Sequence, residues 1–306
     1  MRKAPAGIFA SRSALAPLLL LSVSLWPALG AQSGRQPAEK KAAEAAAPAP
    51  LLKRTTTRRE TRRLGYGGSV TVYGAPEGSV VIEAWPRSEV EVTADVELSA
   101  ATEGELAQLA AVNTFIVDED LNHVRVMTVG AHDRKYLKRV ARDLPRRLRE
   151  MPWKIDYHIR VPAAVDLEVF AGRGPLSLAG VEGAVRVNAG DGPSELALVG
   201  GSVEATFLKG PVTVRVPARA WRGRGMSVKV ASGDLTVELP PGFSGDLDAE
   251  VLRAGRVENT HPGLAPRERT RPTERSLQAR AGQGGATLSF TVGDGTLRII
   301  QVGSGQ

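Results

Sequence analysis

Between Leu167 and Ala220 the chain alternates apolar and polar positions in a pattern that recurs without a gap, at a period of 18. LEVFAGRGPLSLAGVEGA is followed by VRVNAGDGPSELALVGGS and VEATFLKGPVTVRVPARA. Leu167, Val185 and Val203 therefore share one column, Val169, Val187 and Ala205 a second, and Leu178, Leu196 and Val214 a third. Gly174-Pro175, Gly192-Pro193 and Gly210-Pro211 recur at one offset. Alternation with period two marks half-buried strands, and Gly-Pro marks a turn between them. Strict repetition of both describes a chain that coils and stacks on itself. At ~3.3 Å per extended residue a unit traces roughly 60 Å, enough for two or three short strands before returning one strand spacing, ~4.8 Å, above its start. Residues one period apart become neighbours, and the apolar columns form one interior that no single unit could bury alone.

Elsewhere the pattern loosens but stays extended. Ser69 to Tyr73, Val80 to Trp85 and Val90 to Val96 alternate as strands around Gly/Pro/Ser turns and predict a meander. Thr102 to Val112 has helical spacing, with Thr102 as N-cap and Leu106, Leu109 and Ala110 on one face. Phe115 to Val117 and Val124 to Val126 resume strand character around an acidic turn, Asp118-Glu119-Asp120. Asp133 to Arg149 reads as an inserted helix with an apolar stripe of Leu137, Val140, Ala141, Leu144 and Leu148, which Pro145 should kink or split. Lys154 to Val161 alternates as a half-buried strand. Beyond Ala220, Val228 to Leu239 and Leu288 to Ile299 fit a template of apolar offsets 0, 2, 9 and 11, and Leu247 to Val257 fits it less well. About six rungs are expected, with residues 259–285 leaving the coil as an exposed loop.

Composition agrees with this architecture. Hydrophobic residues make up 42% of the 306, enough for a packed core, while aromatics are 5% and glycines number 33. That balance suits narrow stacked strands with tight turns. Residues 1–30 carry Arg2, Lys3 and Arg12, an apolar run from Ala14 to Leu25 and a small-residue site at Ala28-Leu29-Gly30, as a secretory signal peptide does. Removing those three charges from the formal +7 leaves +4 and no further stretch able to span a bilayer. Residues 31–63 read as a linker, first Ala/Pro-rich and disordered, then basic. The absence of cysteine in an exported chain excludes disulfides and a lipidated cysteine anchor. The expected location is the periplasm, the cell surface or the extracellular medium. The remaining divisions are a β-rich region with the helical insert (64–162, insert 133–149) and the repeat array (163–302).

Candidate chemistry is sparse. His123, His132, His158 and His261 are scattered; His158 and Asp156 share a strand face, but no third group joins them. Zinc motifs are absent, the acidic turn lacks the ligand spacing of a calcium loop, and Gly190-Asp191-Gly192 and Gly293-Asp294-Gly295 read as turns. No cofactor is expected. One period on from Glu168 stands Arg186, and one further Glu204, a charge-alternating ladder rather than an acid column. The basic insert is the best candidate site: Arg134, Lys135, Lys138, Arg139, Arg142, Arg146, Arg147 and Arg149 surround the apolar stripe. Such a segment suits an anionic envelope component, whether lipid, lipopolysaccharide or acidic glycan, or another envelope protein, and nucleic acid is not expected outside the cytoplasm. The competing role is a cap, in which the stripe covers an end of the stack that would otherwise template aggregation.

Tyr157-His158-Ile159-Arg160-Val161-Pro162, Val181 to Val187, Ser232 to Pro240 and Gly285 to Gly295 resemble the bacterial putative-adhesin domains of unknown function, exported β-helix proteins, over roughly Gly65 to Val302. The resemblance implies an all-β, right-handed parallel β-helix, or solenoid, here with rungs that follow the period of 18. It carries over no catalytic residue. The function expected is non-enzymatic, adhesin-like binding or a structural role in the envelope. The alternatives are a polysaccharide-active enzyme on the same scaffold and an envelope-stress or signalling accessory.

Overall fold

The structure, a computed structural model, describes residues 50–303. The signal-peptide reading and the first part of the linker lie outside these residues. The described chain is all-β, with two large sheets of ten and eleven strands and three short helices. Alternate residues of both sheets enter one continuous apolar core.

Strands come in pairs, one to each sheet, and the pairs stack in the same order in both. From one end the levels are His123–Val129 with Trp153–Pro162, Ser69–Tyr73 with Val80–Trp85, and Asp166–Ala171 with Leu176–Ala179. Ala184–Asp191 with Ser194–Ala197, Gly200–Lys209 with Val212–Arg215, and Arg222–Ser232 with Leu235–Leu239 follow. Thr287–Asp294 with Leu297–Gln301 and Gly245–Ala254 with Val257–Asn259 complete the series. Every neighbouring pair of levels is parallel. The register expected from the repeat is observed directly: Leu167 lies beside Val185 and Val185 beside Val203. On the outer face the expected ladder also forms, with Arg186 3.6 Å from both Glu168 and Glu204.

The corner joining the two sheets is set by glycine. Gly78, Gly174, Gly192, Gly210, Gly233, Gly295 and Gly255 form one column with positive φ. The amide of Gly192 donates to Lys209 O on one neighbouring level, while its α-carbon faces Gly174 O on the other. Proline follows without loss because the carbonyls of Pro193 and Pro211 receive the ladder bonds from Leu176 and Ser194, and no proline N–H is needed there.

Several expectations change. The strands within 69–96 do not form a meander: Ser69–Tyr73 and Val80–Trp85 belong to different sheets and are parallel members of the stack, so the array has more levels than six. Period-two alternation reports a half-buried strand but not its partner. Residues 53–63, expected within a linker, belong to the strand Leu52–Arg63, antiparallel to Glu89–Ala100 at the edge of the ten-stranded sheet. Arg58 and Arg62 reach from it to the carbonyls of Phe115 and Val117 on the edge strand of the other sheet, and Arg58 lies 4.7 Å over the Phe115 ring. The basic run thus closes one end of the molecule. Asp118 to Asp120 end a strand rather than form a turn; the turn follows at Leu121-Asn122.

Residues 259–285 are not simply a loop. Leu264–Pro266 and Ser276–Ala281 pair antiparallel and cover the far edge of the eleven-stranded sheet. The chain then returns, and its last level, Thr287–Gln301, enters between two levels already laid down, 222–239 and 245–259. Asp234 fastens it, accepting from Thr296 N at 2.9 Å and pairing with Arg298 at 3.0 Å. These contacts, led by the Thr296 amide bond, hold the Asp234 carboxyl below its ordinary range. A folded-state value below the unfolded one stabilises at neutral pH and is lost as pH falls through the folded value. The expected result is a stability curve whose acid limb is shallower in Asp234→Asn than in the wild type. Urea midpoints across the acid range check it, and parallel limbs would contradict it.

Candidate functional site

The level containing His123–Val129 and Trp153–Pro162 lacks the tight glycine corner of the array. Residues 130–152 stand in its place and carry the basic insert. Asp133 caps the first helix, Arg134–Val140, its carboxylate accepting from Lys135 N at 2.8 Å and Tyr136 N at 3.1 Å. Those backbone bonds, Tyr136 first, hold the Asp133 carboxyl below its usual range. Pro145 splits the insert as expected, and a second helix, Arg146–Arg149, follows. Leu137, Leu144 and Leu148 are buried in the core, so the stripe docks on the body. Val140 does not belong to it. The first helix ends there, leaving Val140 51% exposed.

Docking gathers the charges unequally. Arg134, Lys138, Arg142, Arg146 and Arg149 line one concavity of about 600 Å³, with Leu137 in its wall. Glu150 is the acid that shares it, 3.5 Å from Arg146 as an i,i+4 pair. Arg149 also braces the site, its Nε donating to Leu144 O at 2.9 Å. Arg134, Lys138 and Arg142 have no ion-pair partner among the described residues. Arg147 turns away to Glu105 of the helix Glu103–Val112 and joins the insert to the end of the stack. Lys135 and Arg139 lie outside the concavity. Of eight cations with the same sequence signal, five converge and three do not. The i,i+4 spacing of Arg146 and Glu150 could have flagged the acid in advance. Nothing in the sequence marked Ala131 as a wall of the site.

Five cations facing one acid around a shared concavity repel one another, and an anion placed among them removes that cost and gains charge-assisted hydrogen bonds. His158, His123 and His261 do not compete as a site. His158 lies 3.2 Å from Glu83 on an exposed strand face, His123 bonds Thr71 at 3.1 Å, and His261 is buried, accepting from Gly263 N. Burial tends to raise the Asp156 carboxyl, but the Ser79 amide and hydroxyl and Lys154 outweigh it and hold the group low. No group of three metal-ligating side chains occurs among the described residues. No helix among them is long and apolar enough to cross a membrane.

Fold and site together define an all-β protein of two large, mostly parallel sheets with a cationic concavity at one corner. No family model matches the chain, and no curated protein does. Among solved structures it is similar to a putative cell adhesion protein from Clostridium sporogenes ATCC 15579, at 12% identity and a TM-score of 0.44, over 81% of this chain and 100% of that one. A putative adhesin from Bacteroides fragilis NCTC 9343 aligns at 9% identity and TM-score 0.25, over 80% and 97% of the two chains. A putative lipid binding protein from Parabacteroides distasonis ATCC 8503 aligns at 9% and 0.20, over 82% and 95%.

Proposed function

We propose that this chain is an exported, non-enzymatic binding protein of adhesin-like type, acting at the periplasmic or outer surface of the envelope. It presents the cationic concavity to an anionic envelope component. The observation that carries the reading is the convergence of Arg134, Lys138, Arg142, Arg146 and Arg149 on one concavity with a single acid. The scaffold is a right-handed parallel β-helix with rungs of about 18 residues where the sequence repeats, from Leu167 to Ala220; the parallel register there supports the coil, and the family resemblance supports its hand. A glycan-cleaving role is disfavoured by the outer ladder. Glycoside hydrolysis uses two carboxylates facing each other across a bond, whereas Glu168 and Glu204 are separated by an arginine that pairs with both.

Binding of the protein to anionic vesicles, lipopolysaccharide and acidic glycans at low and raised salt tests the proposal. Changing Arg134, Lys138 and Arg142 to Gln is expected to weaken binding at least ~10-fold and to flatten its salt dependence. Changing Lys135 and Arg139 to Gln should do little, because neither lines the concavity. Equal losses in both variants would make the attraction a diffuse surface charge. If the wild type binds no anion, the insert serves as a cap alone.

A further inference from the structure

A second concavity, of about 530 Å³, lies beside the first on the outer face of the eleven-stranded sheet. The two share a partition in the chain itself: Ala131 and Arg134 line the cationic one, and His132 and Asp133 line the other. The wall of the second is built by strand register. Met127, Tyr73 and Phe170 occupy one outward row of three neighbouring strands, and the Tyr73 and Phe170 rings stack at 5.0 Å with only 2° between their planes. Tyr73 is 43% exposed, an aromatic ring on a face that elsewhere carries mostly small and polar residues. Around this apolar wall stand Arg125, His132 and Asp133. Burial, the larger influence, lowers the His132 pKa, which favours a neutral ring with one donor and one acceptor nitrogen. Arg125 is paired with Asp118 through one terminal nitrogen, and its side chain is 41% exposed, so the guanidinium edge remains able to donate into the concavity.

From this we infer that the second concavity seats a sugar ring and that the ligand of the combined site is an acidic glycan. The inference rests on the anion-binding reading of the neighbouring concavity and narrows it. A pyranose has an apolar C–H face for the Tyr73 and Phe170 wall and a hydroxyl rim for donors and acceptors such as Arg125, Asp133 and His132. An acyl chain would strand those polar groups against hydrocarbon, and a bare phosphate would leave the aromatic wall unused. Charge complementarity supplies the other half: an acidic group on the same or an adjoining sugar meets Arg134, Lys138 and Arg142 across the partition.

Calorimetric titration of the full chain tests the inference with three probes: an oligogalacturonate, a neutral malto-oligosaccharide of equal length, and inorganic pyrophosphate. Anionic vesicles serve as a fourth. The expected result is binding of oligogalacturonate in preference to the neutral sugar. A Tyr73→Ala/Phe170→Ala double variant should weaken oligogalacturonate at least ~10-fold, ~1.4 kcal/mol, while leaving pyrophosphate unchanged. Arg125→Gln, which leaves both rings in place, should weaken oligogalacturonate several-fold and keeps the test usable if the double variant misfolds. Changing Arg134, Lys138 and Arg142 to Gln should weaken both anions. Unchanged oligogalacturonate binding in the Tyr73/Phe170 and Arg125 variants would overturn the sugar seat, as would a wild type that binds pyrophosphate or vesicles but not the sugar acid. Failure to bind any anion would instead remove the reading on which the inference rests.

Discussion

A Gly192→Val protein is expected to lose its fold. A Cβ at Gly192 would sit 2.2 Å from Gly174 O, a backbone atom that cannot swing aside, and φ there is 149°. Valine is β-branched and is excluded from such backbone, so conformational strain and the clash act together. The same corner repeats above and below: a Cβ at Gly210 would lie 2.3 Å from Gly192 O. Relieving the clash by moving the two levels apart would break Gly174 N to Asp191 O and Leu176 N to Pro193 O. The cost should exceed about 4 kcal/mol, a large part of the 5–15 kcal/mol that typically holds a domain. Gly104→Ala is the matched control. Gly104 lies in the helix Glu103–Val112 with nothing within 4 Å of a built Cβ, and alanine there should stabilise by about 0.5–1 kcal/mol. Urea unfolding of the three proteins decides the matter: a valine protein within about 1 kcal/mol of wild type would show that the column is not a constraint.

The second large effect is expected for Phe290→Ala, at about 3–5 kcal/mol. Phe290 is 1% exposed on the inserted last level, where its neighbours in register are Val228 on one side and Ala249 on the other. A large ring between a medium and a small residue fills a space that neither neighbour can reach, so truncation leaves a cavity rather than a collapse. Both flanking strands belong to earlier parts of the chain, and the loss should weaken the seating of the whole segment 287–301. Hydrogen exchange is the measurement: amides of Thr287–Gln301 and of the strands 222–232 and 245–254 should lose protection together. Loss confined to the immediate surroundings of residue 290 would contradict the idea that this level seats as a unit.

These two residues mark how far the chain could be read in one dimension. Gly192 stood in a column found by spacing alone, and the register of Leu167, Val185 and Val203 follows from the same spacing. Phe290 fitted the apolar template, yet nothing local said that its level would enter between 222–239 and 245–259. Nor did the alternation of Ser69 to Tyr73 reveal that it would lie parallel to Asp166–Ala171, almost a hundred residues away, rather than in a meander. The helix at Glu103–Val112 was legible because its cap is local: Thr102 accepts from Glu105 N at 3.2 Å, and the Glu105 carboxylate accepts in turn from Ala101 N at 3.1 Å. The basic run 53–63 has few apolar residues and by itself suggests a linker; its order comes from pairing with Glu89–Ala100 and from Arg58 and Arg62 bridging to the opposite sheet.

The candidate site divides in the same way. The sequence by itself determined that a cationic amphipathic insert exists, that Pro145 breaks it, and that repeating strands with glycine corners follow it. Those features are local or strictly periodic, and short-range sterics and side-chain alternation suffice to produce them. Only the tertiary structure decided which cations face one another. Leu137, Leu144 and Leu148 fix how the insert docks, and that docking sends Arg147 to Glu105 while bringing Arg134, Lys138, Arg142, Arg146 and Arg149 around one concavity. It also placed Tyr73 against Phe170, far apart in the chain, because strand register is settled by the summed burial of both inner faces rather than by either strand alone.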